Sequence, residues 1–136
     1  MRSSQRYWLL LGALMAMPHL AAATDIDKTY RRTTTDGATV LLHHYASWDR
    51  QCRPNGDVVI TVVSQPVGGT LDMRHESKVD AGQERVGATS CAGVALPSVG
   101  VYYVPTPGFK GTDRFQLEIR YGRGAPVFDE GVIEVR

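Results

Sequence analysis

Cysteine is scarce in this chain of 136 residues, which has two, Cys52 and Cys91, and no Cys-x-x-Cys pair to carry a redox or metal reading. A surplus of charge is missing as well. Fifteen Lys+Arg stand against 14 Asp+Glu, so there is neither a basic excess to neutralise phosphates nor an acidic tail, and nucleic acid is not an expected partner. Asn55 is the only asparagine, and hydrophobic residues come in short runs broken by 14 Gly and 7 Pro, which points away from helical bundles and from disorder. The sequence holds no Gly-x-x-x-x-Gly-Lys or Gly-x-Gly-x-x-Gly phosphate cradle and no Gly-x-Ser-x-Gly elbow. Asp49, Asp57, Asp72, Asp80, Asp113, Glu76 and Glu118 form no recognised acid–base spacing. Catalysis is therefore not expected, nor is a cofactor.

What is present begins with an address. Arg2 and Arg6 precede the apolar run Tyr7–Met17, and Ala21-Ala22-Ala23 precede the polar Thr24-Asp25. A basic start, an apolar stretch of roughly 7 to 15 residues and a small-residue end make a secretory signal peptide. The run is too short for a span of about 20 residues and is interrupted by Pro18 and His19, so residues 1–23 read as a removable leader with no membrane anchor left behind. The product is expected to be periplasmic or secreted. Residues 24–136 are enough for one domain. In an oxidising compartment the two cysteines read as one disulfide, Cys52–Cys91.

The remainder alternates like a β protein. Phe115, Leu117, Ile119 and Tyr121 share one parity of Asp113–Tyr121, with polar residues on the other, which predicts a strand with one wet face. Val58–Val63 is β-branched throughout and ends before Pro66, so it reads as a buried, central strand. Thr39–Tyr45, Thr70–His75, Val99–Val104 and Val127–Val135 add short strands, and Asp27–Thr33 an edge strand. Turn glycines follow Asp36, Asn55 and Pro107. Ser77–Ser98, rich in Gly, Ala and Ser, is expected to be irregular. The fold class is an all-β antiparallel sandwich of about seven strands with one disulfide, and Ile60, Val62, Phe115, Leu117 and Ile119 are expected in its core.

The spacing of Tyr103, Pro105, Pro107, Gly108, Phe109, Gly111, Asp113 and Phe115 resembles the signature of bacterial Ig-like and cadherin-like repeat domains of large surface proteins. Gln65-Pro66-x-Gly68-x-Thr70 is similar to the hairpin preceding it in those repeats. The resemblance covers roughly residues 58–121 and implies an Ig-like sandwich in which Phe109 tucks against the core and Asp113 opens a strand. It implies no catalytic residues. The motif occurs once, Tyr121 is followed by Gly122-Arg123-Gly124 where the repeats carry Asp-Gly, and the cysteines are no part of the pattern; a stand-alone secreted variant is implied.

Two candidate sites remain. Trp48, beside Asp49-Arg50-Gln51, is the one large aromatic expected outside a strand, so Trp48 and Arg50 are candidate contacts to an unidentified macromolecule of the bacterial envelope or exterior, a protein or a glycan. Packing over the sandwich end is the alternative role for Trp48. Met73 and His75, with His43 or His44, offer imidazole and thioether ligands of the kind copper accepts. Adjacent residues of a strand face opposite ways, so at most one of His43 and His44 can join His75. A binding or structural module without metal is the leading expectation, and a periplasmic metal carrier the alternative.

Overall fold

Chain segments with a two-residue apolar period pair into sheets because only pairing satisfies their backbone groups while one face is buried. The structure, a computed structural model, describes residues 24–79, 85–86 and 89–136; the expected leader and Asp80 lie outside them. The strands are β1 (Lys28–Thr34), β2 (Val40–Tyr45), β3 (Val58–Ser64), β4 (Gly69–Val79), β5 (Arg85–Val86), β6 (Thr89–Ser90), β7 (Ala95–Pro105), β8 (Gly111–Tyr121) and β9 (Val127–Val135). The described residues include no helix.

Seven of these strands form the sandwich. One sheet has the order β1-β9-β8-β3 and the other β2-β7-β4, while β5 and β6 pair only with each other. Every pairing is antiparallel except β1 with β9, which run parallel from Lys28↔Asp129 to Thr34↔Val135. Leu42, Tyr45, Val101, Tyr103, Phe115, Leu117, Ile119 and Ile133 are fully buried between the sheets.

Two expectations need correction. β3 is an edge strand, bonded to β8 alone, and its Val59 and Val63 are 55% and 46% exposed. Ile60 and Val62 face the core but are only partly buried. β-branched composition reports fit to a pleated surface, not a central place in the sheet. The stretch Ser77–Ser98 is also more regular than its composition implies. β4 and β7 pair without interruption from Gly69↔Pro105 to Val79↔Ala95, so an eleven-residue ladder overrides weak local propensity, and β5–β6 forms a small hairpin between them.

Asp113 shows how the repeat-like motif holds. It is 4% exposed. Its carboxylate accepts from the backbone N–H of Val67 (2.9 Å) and Gly68 (2.7 Å) and from the Tyr103 hydroxyl (2.9 Å). It also accepts from the N–H of Arg114 at 2.9 Å. Tyr103 lies on the opposite sheet, so one carboxylate joins both sheets and the β3–β4 turn. The Tyr103 and Phe115 rings stack at 6.3 Å. Phe109 closes over Gly68, where a side chain would collide with its ring, and Gly108 turns the chain at φ 82°.

Asp113→Ala would leave several buried donors unanswered, so urea denaturation should show a loss of at least about 3 kcal/mol. Leu117→Ala should cost roughly 2 to 5 kcal/mol, and Gln116→Ala, on the other face of the same strand, less than about 0.5 kcal/mol. Similar losses for all three would overturn this account of β8.

Candidate functional site

The segment after β2 is tied down residue by residue. Asn55 N–H donates to Ser47 O (3.0 Å), Asp49 N–H to Arg53 O (2.9 Å) and Cys52 N–H to Asp49 O (3.0 Å). The Asp49 carboxylate accepts from the N–H of Gln51 (2.8 Å) and Arg53 (3.1 Å) and pairs with the Arg53 guanidinium; the Arg53 bonds hold its carboxyl below the usual range. Cys52 takes a left-handed backbone, φ 59°, uncommon for a residue with a side chain. Its disulfide to Cys91 spans 5.5 Å between Cα atoms and fastens this loop to the segment between β6 and β7. A disulfide of this kind belongs to an oxidising compartment.

The loop delivers Trp48 to one end of the sandwich. Trp48 is half-buried and its indole N–H, itself buried, meets no acceptor among the described residues. Arg50 stands exposed at the turn. Trp48 is one wall of a cleft of about 320 Å³ on the seam between β1 and β2, shared with Asp27, Lys28, Tyr30, His43, Tyr121 and Asp129. The seam is open because β1 and β2 are edges of different sheets. Packing over the sandwich end and lining a cleft thus turn out to be one placement.

Beneath the cleft a second cross-sheet pair is buried. The Tyr45 hydroxyl donates to Asp129 Oδ2 at 3.0 Å, and Asp129 is 4% exposed. Burial raises the Asp129 carboxyl above its ordinary value, with the Tyr45 bond only partly opposing it. Burial also raises the Tyr45 phenol, with Asp129, Tyr30 and Tyr121 adding to the shift. Tyr30 stacks on His43 at 4.6 Å between centroids, and Tyr45 meets both rings edge-on.

The candidate metal ligands are dispersed. His43 stacks on Tyr30 in the β1–β2 seam; His44 also borders the cleft, but its ring turns to the outer face of the β2-β7-β4 sheet, with Nε2 at 2.7 Å from Glu76 Oε2. The two histidines do face opposite ways. Met73 pairs in register with Val101 and His75 with Val99, so β7 stands between them and β2. His75 borders a separate depression of about 440 Å³ with Asp57, Glu76 and Ser98. Among the described residues no three His, Cys, Asp or Glu side chains gather as a metal site would require.

Sequence reasoning missed the network on that outer face. The Tyr102 hydroxyl donates to Glu76, 2.9 Å from both carboxylate oxygens. The Arg74 guanidinium lies 4.1 Å above the Tyr102 ring and bonds Asp72 at 2.8 Å. Gly100 makes the room, since a Cβ there would crowd Glu76, Tyr102 and His44. The i, i+2 spacing of Asp72, Arg74 and Glu76 was the available signal; only the register could show that Tyr102 and His44 join them. The chain matches no protein-family model, and no curated protein matches it.

The His44 bond, then the Tyr102 bond, holds the Glu76 carboxyl below its usual value of 4.5. A depressed carboxyl stabilises the fold above the unfolded value and loses that contribution as pH falls through the folded one. Asp129, raised, acts with the opposite sign. The melting temperature of the unmodified chain should therefore fall more steeply below pH 4.5 than that of Glu76→Gln, and parallel curves would refute the assignment. Reducing Cys52–Cys91, whose sequence separation is 39, should lower unfolding free energy by about 4 kcal/mol on loop-closure entropy; no change on complete reduction would contradict the loop's dependence on it.

Proposed function

We propose that this is an exported, non-catalytic binding module of the bacterial envelope or exterior, periplasmic or secreted, which recognises a macromolecular partner through the end of the sandwich that carries Trp48 and Arg50. The observation carrying this reading is the cleft at Trp48, set beside a loop held by backbone bonds, the Asp49 carboxylate and a disulfide. Ordering a loop before the partner arrives lowers the entropic cost of association. Tryptophan and arginine are the residues that most often dominate binding energy in such surfaces.

The resemblance to bacterial Ig-like and cadherin-like repeat domains supports the same reading, because that motif builds a scaffold and leaves its loops for recognition. So does the use made of the motif's own polar group: Asp113 is consumed in structural bonds to Val67, Gly68 and Tyr103. The basic leader, the apolar run and the Ala-Ala-Ala end favour export.

Protein immobilised through its C-terminus and exposed to envelope extract should retain a discrete partner. Trp48→Ala and Arg50→Ala should each weaken retention by about tenfold or more without changing the melting temperature by more than a few degrees. Retention indifferent to both substitutions would move the surface elsewhere. Stoichiometric, submicromolar Cu⁺ or Cu²⁺ binding abolished by Met73→Ala and His75→Ala would replace this reading with that of a metal carrier.

A further inference from the structure

The sandwich contains the same cross-sheet pair twice, a tyrosine hydroxyl of one sheet donating to a buried aspartate of the other, and the two aspartates differ in how fully they are satisfied. Asp113 answers Tyr103 and three backbone N–H groups. Asp129 is equally buried, yet among the described residues its side chain accepts one hydrogen bond, from Tyr45, and forms no ion pair. Lys28 acts on it only through space, and a desolvated carboxylate with one neutral donor and no cation in contact is unfavourable.

Asp129 also differs in what lies above it. Asp113 is roofed by the β3–β4 turn, whereas Asp129 lines the cleft at Trp48 together with Asp27, Tyr30, His43 and Tyr121. The cleft's two carboxylates outnumber its one ammonium, Lys28. Asp27, itself exposed, accepts from the Phe128 N–H at 2.7 Å, which fixes its orientation at the rim of the cleft. Aromatic faces beside carboxylates attract cations, and this chain already shows it: Lys28 and Arg32 approach the Tyr30 ring to 5.9 Å and 5.7 Å.

We propose that this cleft receives one cationic head group, the ammonium of a lysine or the guanidinium of an arginine presented by a partner polypeptide, seated among the aromatic walls and paired with Asp129. The inference rests on the reading of the Trp48 end as the recognition surface and names its ligand chemistry. Size favours it over a glycan: about 320 Å³ is near the lower limit of ligand cavities, roughly 300 to 1,000 Å³, and admits a single side chain more readily than an oligosaccharide. Charge favours it too, since a neutral sugar would use the rings and leave Asp129 with no cation in contact, only the through-space charge of Lys28. Burial raises the Asp129 carboxyl, and a cation in contact with it would oppose that shift.

The test uses the full chain carrying Trp8→Phe, so that Trp48 is the sole tryptophan. Its fluorescence and amide chemical shifts would be followed during titration with triarginine, trilysine, n-butylammonium and chitotriose. Saturable binding of a cationic peptide should shift Trp48, Asp27 and Asp129 signals, weaken as salt rises from about 0.01 to about 0.15 M, and fall about tenfold or more in Asp129→Asn. That variant keeps an acceptor for Tyr45 and should melt no lower than the parent, separating lost binding from lost folding. Butylammonium binding as tight as the peptides would support the cation chemistry and assign its source to a small amine. Chitotriose binding at Trp48 that is indifferent to Asp129→Asn would overturn the inference while leaving the proposed recognition surface standing. Peptide binding that is unchanged in Asp129→Asn, or no shift at the cleft with any cation, would overturn it outright.

Discussion

The two Tyr-to-Asp bonds that cross the sandwich, Tyr103 to Asp113 and Tyr45 to Asp129, are the constraint on which the rest of the structure depends. Apolar packing is non-directional and would tolerate sliding of one sheet over the other. A buried carboxylate does not tolerate loss of its donor, so each pair fixes a point of one sheet against a point of the other. Along β8, Asp113 pairs with Ile133 and Leu117 with Asp129, and along β7 Tyr45 stands opposite Val99, so the fully buried Val101 and Phe115 lie between the two pairs while Ile119 packs beyond the second. Tyr45 and Tyr103 belong to β2 and β7, and Asp129 and Asp113 to β9 and β8, so the two bonds tie the β2–β7 ladder to the β8–β9 ladder.

The alternation in β8 was legible in the sequence because it is a local signal. Phe115, Leu117 and Ile119 fall on one parity whatever the rest of the chain does, and all three are fully buried. The disulfide was legible for a similar reason, as two cysteines leave one pairing. The role of Asp113 was only half visible: the motif containing it is readable, but its partners Val67 and Gly68 are 46 and 45 residues away. Asp129 had no motif at all. Its meaning depends on Tyr45, 84 residues earlier, and on an open seam between edge strands, which no local pattern encodes.

The edge position of β3 is a failure with a clear physical origin. Val58–Val63 has the composition of a doubly covered strand, but burial is decided by strand order, and β3 falls at the end of its sheet. An uncharged, β-branched edge invites pairing with other chains. Here the ladder to β8 shifts register between Val62 and Ser64, and Pro66 follows without an N–H to offer, so the exposed edge is interrupted as well as short. The opposite sheet guards its β4 edge differently, with Arg74, Glu76 and Lys78.

In the proposed reading, stability and recognition are divided between two versions of one interaction. At the Asp113 end the carboxylate is saturated with donors, and the repeat-like motif around it serves the fold alone. At the Asp129 end the same geometry is left short of donors, beneath aromatic rings and beside a loop that a disulfide holds in place. A chain selected only for stability gains little by retaining that carboxylate, since asparagine could accept the Tyr45 bond without the desolvation penalty of a charge. In the proposed reading the residue makes physical sense because a partner's cation would pair with it directly, adding to the through-space charge of Lys28, and the cleft above it would be the route by which that cation arrives.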